Sequence, residues 1–255
     1  MAQNLNSTDL FGAREDASKT HLDGTRPVIV RVDGVGFSKY TKHLQAPADD
    51  RFIDAMNASA RALAERIPQV EYVFVQSDEA NILILPSALG ELPYGAGQQK
   101  LVSIAASVAS TAFNEQRSAD GGDAAAAFDG RAFNIRWDEI GRYFLWRQQV
   151  GWANSMTMTA RTFFSHHQLD GVGVNEVRRR IAEQGTDPDF TPDGFRNGRH
   201  LYKRMTSGLS EFVNTRTGET GVAAFTRRKP YFADAPADGL DEFVDGTVAE
   251  LRNAS

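Results

Sequence analysis

Two apolar runs in this chain carry acidic residues to their ends. VIVRVDG closes on Asp33, and VEYVFVQSDEANILIL is broken by Asp78 and Glu79. A carboxylate beside a core has to be paired, hydrogen-bonded or bound to a metal. Two carboxylates held close together repel unless something neutralises them. Mg²⁺ suits that task, because it is a hard cation that takes oxygen ligands and keeps waters that phosphates can replace. Two such ions can clamp the attacking and leaving oxygens of a phosphoryl transfer. Gly34 could add its backbone carbonyl, since no side chain blocks the approach. Arg31 shares a strand face with Asp33, which leaves it either facing a phosphate or paired with that aspartate.

Other chemistries find little support. No G-x-x-x-x-G-K-[ST] is present, no G-x-G-x-x-G follows a strand, and no G-x-S-x-G occurs. His166 and His167 are adjacent, so they point different ways on a helix and read as surface or capping residues. The 255 residues include no cysteine, which excludes disulfides and thiolate metal sites. No apolar run approaches the ~20 residues of a membrane span. The first twenty residues lack the pattern of a signal peptide. A cytoplasmic protein with no membrane partner is the expectation. A net charge of −5 argues against a general nucleic-acid coat. Basic residues do cluster at Arg178–Arg180, Arg196–Arg204 and Arg227–Lys229, as local phosphate-binding faces or as solvated charge.

The elements that must position the acids can be read from periodicity. In PVIVRVDG, Val28, Val30 and Val32 alternate with Ile29, Arg31 and Asp33, the period of a strand. A helix follows from about Asp49 to Ile67, stopped by Pro68, with Phe52, Met56, Ala60, Leu63 and Ile67 on one stripe. VEYVFVQ and ANILILP read as a hairpin around SDE. A second helix spans about Gln98 to Phe113, Gln116–Ala127 reads as a mobile low-complexity loop, and AFDGRAFNIRW gives another strand. The resulting β-α-β-β-α-β order is the split βαβ, ferredoxin-like arrangement. It sets the end of the first strand beside the hairpin turn, bringing Asp33 to Asp78 as in a polymerase or nucleotide-cyclase palm. The fold class expected is therefore α+β: a palm-like sheet with helices packed on it and a mostly helical C-terminal half. In that half, DEIGRYFLWRQQ and NSMTMTARTFFS read as helix. NEVRRRIAEQG reads as a short helix capped by Asn175, GVAAFTRR as one strand, and Asp241–Leu251 as a last helix. A single domain over 1–255 is expected, with its core at about 26–137 and its extension at about 138–255.

RVDGVGFSKYT, DDRFIDAMN, VQSDEANILI, QKLVSIAAS, FDGR and WRQQ…NS occur in this order. Together they resemble the tRNA-histidine guanylyltransferase family and its bacterial and archaeal relatives, the reverse (3′–5′) polymerases. The resemblance runs from about residue 28 to 165, with weaker likeness to roughly 204. It implies a palm-like domain, two Mg²⁺ ions, GTP or another NTP as substrate, a tRNA 5′ end as acceptor, and a homo-oligomer, dimer or tetramer. It makes Asp33, Asp78 and Glu79 the catalytic acids, with Asp33, Asp78 and the Gly34 carbonyl on metal and Glu79 in support. Arg31, Gly34, Val35, Gly36, Phe37 and Ser77 would neighbour the nucleotide. Lys100 and Arg131 match basic positions near phosphates, and Asn154 and Ser155 match a later polar motif. A 3′-hydroxyl of the incoming nucleotide would attack an activated 5′ phosphate and release pyrophosphate.

The departures from the family pattern are concentrated. Val35, Ser38, Ala46, Gly97 and Ala153 stand where cations or potential cations are frequent, and Val150 where an aspartate is. The three acids remain. Each lost charge-assisted bond to a desolvated phosphate removes about 1.5–3 kcal/mol, with Arg31, Lys39, Lys42 and Lys203 available to compensate. Two further readings stay open: guanylyl transfer to a small-molecule or free-nucleotide acceptor, and a non-catalytic RNA- or nucleotide-binding relative.

Overall fold

A computed structural model describes residues 7–122 and 124–253 of the chain. After a helix α1 (Ser7–Ser18), the chain enters β1 (Val28–Gly34), a short α2 (Phe37–Tyr40) and α3 (Asp50–Arg66). The hairpin β2 (Val70–Gln76) and β3 (Glu79–Ile84) leads to α4 (Gln98–Ala119) and β4 (Phe128–Asn134). A long α5 (Ile140–Ala160) is followed by α6 (His166–Leu169), α7 (Val174–Glu183) and α8 (Asp193–Arg196). The chain then forms β5 (Arg199–Val213) and β6 (Thr220–Asp234) and closes with α9 (Leu240–Asn253). Among the described residues the strands make one sheet, ordered β4-β1-β3-β2-β5-β6, with every neighbouring pair antiparallel.

The strand alternation divides the core into two layers. Val28, Val30 and Val32 join Val73, Val75, Ile82 and Ile84 against Met56, Ala60 and Leu63 of α3 and Leu101, Ala105 and Phe113 of α4. Where those helices meet, the buried Ser59 hydroxyl donates to the carbonyls of Ala55 and Ala109. On the other face Ile29, Tyr72, Phe74 and Leu83 pack against Ile140 and Phe144 of α5 and Leu240, Val244 and Val248 of α9. No helix among the described residues is long and apolar enough to cross a membrane.

Several expectations change. The C-terminal half is helical to Arg196 and again in α9, but between them β5 and β6 form a hairpin of two 15-residue strands that widens the sheet. Only Arg199–Tyr202 of β5 pairs with β2, and the hairpin beyond is mostly exposed. With no core to face, its sequence carries little alternation. α4 continues through Ala119 into the tract read as a mobile loop. Asn114 clasps the end of that tract, donating to the Ala126 carbonyl at 2.9 Å and accepting from its N–H at 2.8 Å. Asp123 of that tract lies outside the described residues, as does Met1–Asn6 of the segment tested for a signal peptide. The cap of α7 is Gly173, and Asn175 falls inside the first turn. His166 and His167 are exposed on α6. α1, which has few apolar residues, was not expected.

α3 starts where its cap dictates. Asp49 accepts from the Arg51 and Phe52 N–H groups at 3.0 and 3.3 Å, and from that of Gln45 at 3.0 Å. The Arg51 side chain, followed by these N–H groups, overcomes burial and holds the Asp49 carboxyl down at about 2. Asp49→Ala is expected to cost about 1–2 kcal/mol. That stabilisation is complete above the unfolded carboxyl value of about 4 and disappears as pH falls through the folded value. Urea unfolding at pH 7 and pH 3 should therefore show the variant's deficit shrinking at the lower pH.

Candidate active site

β1 and the β2–β3 turn are fastened to each other at their ends. The Gly34 N–H donates to the Asp78 carbonyl at 3.1 Å, and Asp33 stands opposite Glu79 on β3 and Asp129 on β4. The turn holds Ser77 at φ 54, a left-handed conformation that costs a non-glycine residue roughly 1 kcal/mol or more. Gly34 is required by close approach, since a Cβ there would lie 2.2 Å from the Phe37 ring. Gly36, at φ 70, then reverses the chain into α2. Phe37 is buried by Tyr40, Phe52, Phe113 and Phe128, with ring centroids 5.1–5.9 Å away. It anchors the turn from below.

Odd-numbered residues of β1, β3 and β4 face α5 and make a polar end to that layer. Arg31 Nη2 lies 3.0 Å from Asp33 Oδ2 and 2.5 Å from Glu79 Oε2, so it is an ion-pair partner of the aspartate. Glu79 also accepts from Arg147 Nε at 2.8 Å, Arg147 Nη2 at 2.6 Å and Asn81 Nδ2 at 2.7 Å. Tyr143 donates to Asn81 Oδ1 at 2.6 Å. Burial, then the nearby Glu79 charge, push the Tyr143 hydroxyl up to about 12. Burial raises the Asp78 carboxyl above the ordinary value, and the charges of Asp33 and Glu79 add to the rise.

A cavity of about 370 Å³ opens beside the turn. Its walls include Ser77 and Asp78, Phe37 and Ser38, Ala46 to Asp49, Arg161 just past α5, and Arg199. Arg199 is buried and donates to Asn57 Oδ1 at 2.7 Å and to the Gly194 carbonyl at 3.1 Å. Desolvation lowers its guanidinium to about 10.

Asp33, Gly34, Ser77 and Asp78 are thus brought to one place, with Val35 exposed beside them. Arg131 faces Arg31 across β1 and β4 and is exposed. Lys100 belongs to the other layer: it lies exposed on the first turn of α4, its ammonium 5.9 Å from the Tyr94 ring centre. Asn154 is exposed on α5, but Ser155 is buried and its hydroxyl donates to the Trp152 carbonyl within the same helix. Arg147, Arg161 and Arg199 were not singled out from the sequence. Arg147 had a signal in the WRQQ motif, Arg199 lay unremarked in a basic run, and Arg161 had none.

The donor set suits a hard cation. Among the described residues, no group of three or more His, Cys, Asp or Glu side chains is placed to hold a metal. Asp33, Asp78 and backbone oxygen of Gly34 would leave most positions of an oxygen-seeking ion to waters or phosphates. Burial, more than the nearby charges of Asp33 and Glu79, raises the Asp78 carboxyl, and a bound cation would offset both.

A family model described as Thg1, tRNAHis guanylyltransferase, matches residues 12–136. The solved structure of a bacterial tRNA(His) guanylyltransferase (Thg1)-like protein in complex with ATP matches with a TM-score of 0.74 and 32% identity. The match covers 77% of this chain and 88% of that one. This chain belongs to the Thg1 family. A bacterial Thg1-like protein in complex with GTP matches over 95% of this chain and 98% of its own, at 25% identity and a TM-score of 0.74. The tRNA(His) guanylyltransferase of Schizosaccharomyces pombe is 34% identical over 88 residues, 34% of this chain and 33% of its own length. The chain matches a third or less of the length of the curated fungal relatives.

Glu79 neutralises two guanidinium groups that are largely out of water. Glu79→Ala should therefore destabilise the fold by about 3–5 kcal/mol, and Glu79→Gln by less, as measured by denaturant unfolding at pH 7.

Proposed function

We propose that this Thg1-family protein is a Mg²⁺-dependent nucleotidyltransferase. It adds guanylate, or another nucleotide, in the 3′–5′ direction to a tRNA 5′ end with release of pyrophosphate. The observation that carries this reading is the fastening of Asp33 and Asp78 at one end of β1 and β3, beside a cavity. The core at about 26–137 acts as a palm, and the extension at 138–255 closes over it as part of the same domain. Asp33, Asp78 and the Gly34 carbonyl hold the metal, which neutralises phosphate charge when bound. Arg31 fixes the orientation of Asp33, Arg131 offers an exposed cation on the same face, and the Gly34–Phe37 turn gives phosphates access to the backbone. The protein mainly positions the reactants and stabilises their charge.

The β5–β6 hairpin supports a tRNA acceptor. Its register sets Arg204 opposite Lys229 and Thr206 opposite Arg227, so two of the basic clusters form one patch. Aromatic rings lie among these cations: Arg227 is 4.5 Å from the Phe225 ring centre and Arg204 is 4.9 Å from that of Tyr231. Such a mixture of charge and rings suits a nucleic-acid backbone and its bases. The opposite face carries Met205, Leu209, Val213 and Val222, all exposed and apolar, which suits a second copy in a dimer or tetramer. A small acceptor is the second reading. Ser38 and Ala46, two positions where family cations are absent, line the cavity beside Asp78.

Pyrophosphate release in the presence of each NTP, with and without 5′-triphosphorylated tRNA, tests the reading. Release from wild type should require both Mg²⁺ and tRNA, and should fall by about a hundredfold or more in Asp78→Ala. Release that ignores tRNA yet still depends on Asp78 would transfer support to the small acceptor. Salt-sensitive tRNA binding with no pyrophosphate release in the presence of any NTP would mark a binding protein instead.

A further inference from the structure

Three carboxylates gather at one end of β1 and β3, yet their surroundings differ. Asp33 and Asp78 flank the Gly34 junction, and Glu79 is directly across the ladder from Asp33. As their side chains stand, the three do not form one metal-holding group. Glu79 is held by its partners. Arg147 meets both of its oxygens, Asn81 bonds to one and Arg31 to the other, so its acceptor capacity is spent on protein donors.

The match that delivers these donors is one of element geometry. Tyr143 and Arg147 are four residues apart on α5, a rise of roughly 6 Å. Asn81 and Glu79 are two apart on β3, a separation of roughly 7 Å. Helix and strand therefore meet in register, Tyr143 on Asn81 and Arg147 on Glu79. The Arg147 guanidinium also lies 4.8 Å from the Trp146 ring centre, which fixes its plane.

We infer that Arg147 is a positioning residue that keeps Glu79 out of the metal's coordination shell, reserving those positions for the phosphate oxygens of the nucleotide. The inference rests on the metal site proposed above and deepens it. Freed from Arg147, Glu79 becomes a third ligand that tightens metal binding and slows transfer. Loss of the Arg147 charge alone would also tighten binding, but without displacing a water from the ion.

The test is direct Mn²⁺ binding to the full chain without nucleotide, by calorimetry and water-proton relaxation. Arg147→Gln should bind Mn²⁺ on the order of tenfold more tightly than wild type, with about one fewer exchangeable water on the ion. Its nucleotide transfer should be slower. Glu79 keeps Arg31 and Asn81 as partners in this variant, so the fold is retained. Arg147→Gln combined with Glu79→Gln removes both charges of the pair and should restore the wild-type affinity and water count. Unchanged or weaker binding in Arg147→Gln overturns the inference. So does tighter binding without loss of a water, which would reflect only the missing positive charge, and so does tight binding that persists in the double variant. If wild type binds no Mn²⁺ at all, the metal site itself fails and the inference falls with it.

Discussion

Glu79 is an anion with almost no access to water, and its compensation organises the layer above it. Moving a carboxylate out of water costs several kcal/mol unless opposite charge and hydrogen bonds replace its hydration. Here two guanidiniums and an amide do so, one cation from the neighbouring strand and the other from α5. The position of α5 across the sheet is therefore held by polar as well as apolar contacts. Gly151, two turns on from Tyr143, continues the same close approach: a Cβ there would lie 2.3 Å from the Gln76 side chain. Electrostatic demand at one residue thus adds to the apolar packing of Ile140 and Phe144 in placing the helix and the polar face around Asp33.

The second organising constraint is the end-to-end fastening of β1 to the β2–β3 turn. Glycine at 34 admits Phe37 beneath the turn, and the aromatic cluster around Phe37 belongs to the core formed by α3 and α4. Backbone geometry, not side-chain reach, brings Asp33 and Asp78 together. That explains how a few short motifs distributed along the chain can specify one site, since each contributes a strand end or a turn whose place the sheet determines.

Much of this was legible from sequence because burial leaves a trace. The valine alternation of β1, the stripe on α3 and the apolar runs flanking Ser77–Glu79 all reflect faces that meet a core. Asp49 was legible as the start of its helix for a local reason, the orphan N–H groups it satisfies. The outer part of the β5–β6 hairpin left no such trace, because its residues pair with each other but pack on little else. α1 was invisible for the same reason: Leu10 and Phe11, its bulky apolar residues, are exposed. Arg161 and Arg199 were missed differently. Arg199 was read only within a basic cluster, as phosphate-binding or solvated, and Arg161 not at all; the closure of the chain around the cavity places both in its wall.

The hairpin has a mechanical consequence. Its root is the four-residue ladder between Tyr72–Val75 and Arg199–Tyr202, and from there Lys203–Val213 extends roughly 35 Å outward. This is a long arm on a short fulcrum, and Arg199, the first residue of that fulcrum, is also part of the cavity wall. A load applied at the tip reaches the root as a torque, with less displacement and greater force. The strand that begins at the wall of the cavity is thus the same one that carries the arm.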